Sequence, residues 1–183
     1  MLPAWMFDHI CHISGLDLPY FRFHCDFKLT VDPVLIDRLL GQLGGDKNHS
    51  ASIGNGLKAC TPFVLVQSLH ACALLGHKPP GALSTSLLDH ISERMSELCA
   101  SDLSCLLWAL ATLQIDPSWP WVDSALAQCE VQVRGFNNGT MLSSTLWSLA
   151  VLQYAPSSSW MEHFSWQVCG VLRLINGHVN SIL

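Results

Sequence analysis

A short apolar segment recurs three times at nearly fixed spacing, and this period constrains the fold more than any single residue does. SLHACALLGHKP (Ser68 to Pro79), LLWALATLQIDP (Leu106 to Pro117) and TLWSLAVLQYAP (Thr145 to Pro156) align without gaps. Their closing prolines stand 38 and then 39 residues apart. Extended back to Ser101 and Thr140, the second and third copies give 17 aligned pairs, of which nine are identical. At this composition chance supplies about one or two. The first copy is more degenerate, with His70 where the others have Trp108 and Trp147. A period of this length marks a solenoid. It is too long for a leucine-rich repeat, and strand signals are too scarce for a propeller.

Each period reads as two helices. In the middle copy Leu103, Leu106, Leu107, Leu110 and Leu113 fall on one helical face. Ser101 is placed to cap that helix, and Pro117 stops the chain just after it. The next first helix carries Trp121, Val122, Ala125, Leu126 and Cys129, and Trp160 follows Pro156 by four residues as Trp121 follows Pro117. Gly135 to Gly139 reads as the turn between the two helices of that unit. A lone helix of this length is marginal in water, so stacking on neighbours must stabilise each unit. The expected fold is all-α: an α-α superhelix (solenoid) of helix-turn-helix repeats.

The array is read over residues 33–183, as units 33–79, 80–117, 118–156 and an incomplete unit 157–183; residues 1–32 follow no repeat register. In the last unit Ser157 to Leu174 reads as a first helix and Asn176-Gly177 as a turn. A solenoid is expected to end in a polar capping helix. This chain ends on Ser181-Ile182-Leu183, which reads as a fragment of a longer protein.

Composition narrows the function classes. Half of the 183 residues are hydrophobic and 13% are charged, so the chain has ample material for a core. The net charge of −5 is no electrostatic footprint for nucleic acid over the whole chain. The eight cysteines form no C-x-x-C, and several lie in apolar helical patterns, where a free Cys acts as a small hydrophobe. That usage suits a reducing compartment. The sequons at Asn48 and Asn138 read as chance matches, since no secretory signal is present. No Arg-rich leader and no apolar run of spanning length are visible, so no membrane partner is expected.

LLWALATLQIDP, with Trp121 four residues beyond its proline, resembles the octotricopeptide repeat. It is also similar to the leucine-rich region of FAST kinase-like proteins. The resemblance covers about Thr61 to Gly170. It implies an RNA-binding helical repeat protein of chloroplasts or mitochondria, acting without catalysis on RNA processing, stability or translation. The implied partners are single-stranded organellar RNA and other proteins of a ribonucleoprotein complex. The small RAP domain in which such proteins often end is not visible here.

Candidate contacts follow from register. Trp108 lies off the leucine face, at about 140° from Leu103 on a helical wheel. It is either a platform for a base or a knob packed into the adjacent unit. Alanines beside it favour the knob. Gln67, Cys105 and Ser144 occupy one register position beside this stripe and differ between units, as base-reading residues of helical repeats do; Val66, Ser104 and Ser143 are the neighbouring set. Ordinary surface drift explains the same variation. Lys78, Arg94 and Arg134, with Lys58, lie near helix ends and are placed to meet phosphates, although a solvated charge is the default for each.

A zinc site at His9, Cys11, His12, His24 and Cys25 has suitable ligand types but no finger spacing, so no metal or other cofactor is expected. No paired-carboxylate site, P-loop, G-x-S-x-G or H-E-x-x-H is present, and no catalytic residue is assigned. The rival reading from another class is a protein-binding scaffold of the tetratricopeptide or HEAT kind. A third is a piece of an enzyme whose catalytic part lies elsewhere.

Overall fold

The computed structural model describes residues 57–180. After a helical stretch at 57–59, six α-helices follow among the described residues: α1 (Pro62–Leu74), α2 (Gly81–Glu93), α3 (Ala100–Leu113), α4 (Trp119–Val131), α5 (Gly139–Val151) and α6 (Ser158–Asn180). Short 3-10 turns, Met95–Glu97 and Val133–Gly135, follow α2 and α4. No strand occurs among the described residues. The fold is the expected all-α repeat stack, and the zinc candidates His9, Cys11, His12, His24 and Cys25 lie outside the described residues.

The helices sort into two layers. The second helices of the units, α1, α3 and α5, pack side by side and make the densest contacts among the described residues. The first helices α2, α4 and α6 line the other side. Leu103, Leu106, Leu107 and Leu110 of α3 are completely buried. Burying a leucine contributes about 1.5–3 kcal/mol, so this single face is a large share of the stability.

The first-helix layer is sewn by a recurring bond. The Trp121 indole of α4 donates to the Leu88 carbonyl of α2 at 3.1 Å. One unit on, the Trp160 indole of α6 donates to the Leu126 carbonyl of α4 at 3.0 Å. The tryptophan that follows Pro117 and Pro156 is thus an inter-repeat fastener, with its ring in the core and its one donor satisfied.

The ends of the second helices repeat as well. Gly76, Gln114 and Gln153 stand at one register position, all with left-handed backbone (φ 65°, 52° and 55°). The next residue in each copy bonds back across the helix end: His77 N–H to Cys72, Ile115 N–H to Leu110 and Tyr154 N–H to Leu149, at 2.9–3.0 Å. This satisfies carbonyls that the helix end would orphan, and the proline two residues on prevents continuation.

Two local expectations are corrected. Ser101 does not cap α3, which begins one residue earlier, at Ala100. The Asp102 carboxylate accepts the Cys99 N–H at 3.1 Å, and that back-bond sets the start. Asn176-Gly177 is not a turn either, since α6 runs through it to Asn180. A glycine inside a helix costs only about 1 kcal/mol, too little to end it alone. The expected turn after α4 is present and is anchored by Phe136, which is completely buried against Phe164. Gly135 in that turn passes so close to α3 that a Cβ would stand 2.8 Å from that of Ala100.

Candidate functional site

The second-helix layer presents its solvent face through a narrow arc, because each inner helix is covered on two sides. On α3 that arc holds Ser101, Cys105, Trp108 and Thr112. These positions, spaced by four and three residues, form one helical stripe.

The six register candidates divide on this arc. Gln67, Cys105 and Ser143 are half-buried and border it. Val66, Ser104 and Ser144 are covered by neighbouring helices, with 0%, 4% and 8% of their surface exposed. These three side chains are covered by protein. The reason is geometric. On α1 and α3 one residue moves a side chain by about 100° around the helix, from the open arc to the neighbour's face; on α5 the order is reversed, with Ser143 half-buried and Ser144 buried. Ser104 shows the consequence, since its hydroxyl donates to the Met141 carbonyl of α5 at 3.2 Å. Burial raises the Cys105 thiol pKa, and nearby Asp102 raises it further. Deeper in the core, burial pushes the Cys129 thiol up to about 12.

Beside these residues runs a row of rings. Trp108 is half-buried, packs on the core and meets His70 of the preceding unit edge to face, with centroids 5.2 Å apart. Trp147 holds the same register on α5 and is also half-buried. The degenerate first copy therefore keeps an aromatic ring at the Trp position, and the row continues across three units.

Charge is segregated between the layers. Over residues 57–180 the chain has five Lys and Arg against eight Asp and Glu. Asp89, Glu93, Asp123, Glu130 and Glu162 all sit on first helices. In α1, α3 and α5 the only charged residue is Asp102, which is buried at its helix start. The second-helix face is therefore neutral, polar at Gln67, Ser101 and Thr112, and lined by rings.

The basic candidates lie along its rims. Lys58, Arg94 and Arg134 each precede a second helix by a few residues, giving one cation per unit on the edge where α1, α3 and α5 begin. Arg134 is exposed. Arg94 is already engaged: its guanidinium donates two 2.8 Å bonds to Glu97 and a third, of 2.9 Å, to the Cys60 carbonyl. The same pairing holds the Glu97 carboxyl below its usual pKa. Lys78 is at the opposite edge, where its ammonium donates to the Gln114 carbonyl at 2.7 Å and ties α3 to the preceding unit. Sequence reasoning named these cations but missed their partners, which lie 34 and 36 residues away in the chain.

Among the described residues no group of three or more His, Cys, Asp or Glu is arranged to hold a metal ion. No helix among them is long and apolar enough to cross a membrane.

The model of one protein family, described as Tbc2 translation factor, N-terminal domain, matches residues 34–179. The chain belongs to that family. No curated protein and no solved structure matches it.

Proposed function

We propose that this chain, as a member of the Tbc2 translation factor N-terminal domain family, binds single-stranded RNA through its second-helix layer and acts in translation or RNA maintenance. The observation that carries this reading is the family match, which spans residues 34–179. The resemblance of LLWALATLQIDP to the octotricopeptide repeat points the same way, and with it to a chloroplast or mitochondrial setting. The surface described above supports it physically. A neutral face with rings accommodates bases, since stacking needs π surface and not charge. A cation per unit along one edge suits a backbone that passes unit by unit.

The mechanism is occupancy without catalysis: RNA held along the array is withheld from nucleases and from its own secondary structure. Gln67, Cys105 and Ser143 border the base side, while Lys58 and Arg134 line the phosphate side, where Arg94 is already engaged by Glu97 and the Cys60 carbonyl. Lys78 is occupied at the other edge and takes no part. The test is a gel-shift series of the chain with single-stranded organellar RNA across salt concentrations. About two phosphate contacts predict a log–log salt slope of about −1.4, and Arg134→Glu should flatten it by about 0.7. Absent binding, or binding indifferent to salt, refutes the reading.

A protein-scaffold reading is favoured by one observation. Trp119 and Trp166, 68% and 69% exposed, stand on the acidic first-helix layer and away from the neutral face. Exposed tryptophans of this kind are common anchors of protein interfaces. A Trp166→Ser chain that keeps RNA affinity but loses a co-purifying protein would assign the two layers to two partners.

A further inference from the structure

The first-helix layer carries most of the acid of the described chain. Asp89 and Glu93 of α2, Asp123 and Glu130 of α4 and Glu162 of α6 are all exposed, and α2 and α4 hold no Lys or Arg. Glu130 pairs with His163 of α6, while Asp123 is in no ion pair among the described residues. One turn before Asp123 on the same helix stands Trp119, 68% exposed. Residues four apart lie on one helical face, so the indole and the carboxylate are neighbours. Stacking of the units does not call for this tryptophan. Trp121 is the fastener of α4, and the register equivalents of Trp119 in α2 and α6 are Gly81 and Ser158.

Tyr154 turns this pair into a fixed arrangement. Its ring packs on the core, and its N–H bonds to the Leu149 carbonyl at 2.9 Å, which sets it at the end of α5. Its hydroxyl donates to the Asp123 carboxylate. Its ring meets Trp119 edge to face, with centroids 5.7 Å apart and planes at 64°. A single edge-to-face contact takes up one side of the indole at most, so a π face of Trp119 is left in water. A carboxylate offers about four acceptor sites, and the hydroxyl uses one. An indole face beside such a carboxylate attracts a cation by two routes, the ring quadrupole and the formal charge. An RNA backbone meets the opposite, repulsion from a layer of carboxylates. The three residues lie on α4 and in the loop between α5 and α6, so the arrangement is interior to the described array.

We propose that Trp119, Asp123 and Tyr154 dock an arginine or lysine side chain from a basic segment of another protein. The cation lies over the free face of the Trp119 ring and bonds to the Asp123 carboxylate, which Tyr154 holds in place. The other carboxylates of the first-helix layer draw the rest of the segment in by longer-range attraction, which salt weakens. The inference rests on the scaffold reading of this layer and adds to it the chemistry of the partner. It does not depend on RNA binding by the other layer.

Titration of the full chain with a tetra-arginine peptide tests it, with affinity read by fluorescence anisotropy of labelled peptide and location by the indole N–H signals in proton–nitrogen NMR spectra. The Trp119 signal is the one missing from Trp119→Leu. It should shift saturably with tetra-arginine and stay in place with tetra-citrulline, which keeps the shape of the peptide and lacks its charge. Trp119→Leu and Asp123→Asn should each weaken binding about threefold. Both side chains are exposed, and the asparagine still accepts the Tyr154 hydroxyl, so the fold is kept; unchanged helical circular dichroism verifies it. Glu130→Gln is the control, since it removes a charge of the same layer about 16 Å along α4 from Trp119 and should cost clearly less. A Trp119 signal that does not move, equal affinity for the citrulline peptide, or a loss in Glu130→Gln as large as in Asp123→Asn each overturns the proposal. The scaffold reading is judged apart from it, by the Trp166→Ser co-purification. A protein lost there, with no Trp119 shift here, keeps the scaffold and removes the basic partner.

Discussion

Helices α3 and α5 share most of their sequence and differ in their surroundings. Trp108 and Trp147, Leu107 and Leu146, Ala111 and Ala150, and Ser104 and Ser143 occupy matched positions. On α3 the leucine, alanine and serine of that set are buried; on α5 they are half-buried or exposed. The difference lies in what stands beside each helix. Among the described residues second helices lie against both flanks of α3, and against one flank of α5. Identical residues therefore contribute unequally to stability, because burial belongs to the neighbour as much as to the residue.

The largest expected effect tests that inequality directly. Leu107→Ala should cost about 3 kcal/mol, and Leu146→Ala about 1–2 kcal/mol, in denaturant melts at low protein concentration. Equal losses would break the comparison and show that the open side of α5 is covered in solution. The first-helix layer supplies a sharper control, since its fastener is the same in both units. Trp121→Phe and Trp160→Phe each leave a carbonyl without its indole donor, and each should cost about 2 kcal/mol. Unequal losses there would locate end effects in both layers. The smallest effect concerns the hydroxyls. Ser104→Ala removes a bond between units and should cost about 1 kcal/mol, while Ser143→Ala removes a bond within one helix turn and should fall within about 0.5 kcal/mol of zero.

Much of the fold was legible before any coordinates. The leucine face of α3, the stops at Pro79, Pro117 and Pro156, and the repeated Trp121 and Trp160 all follow from local pattern and period. Local pattern was less reliable at helix ends. Ser101 has the right chemistry for a cap, but Asp102 reaches back to Cys99 and moves the start. Asn176-Gly177 has turn chemistry that the helix overrides.

The candidate site was legible only in outline. Register identified a stripe of variable residues, and half of them border the open arc. A wheel drawn for one helix cannot tell Cys105 from Ser104, since which side is covered depends on the next helix in the row. Lys78 and Arg94 are alike in this respect. Each looks like a free cation in sequence and is held by a carbonyl from another unit.

The amino-acid sequence by itself determined the repeat, its period, the apolar faces and the stops, because these rest on contacts a few residues apart and on the conformational limits of proline. Only the tertiary structure decided which copies of those faces are covered, which cations are already spent on carbonyls, and that His70 and Trp108 meet in one row on the neutral layer. Those outcomes rest on contacts more than thirty residues apart, and no local pattern carries them.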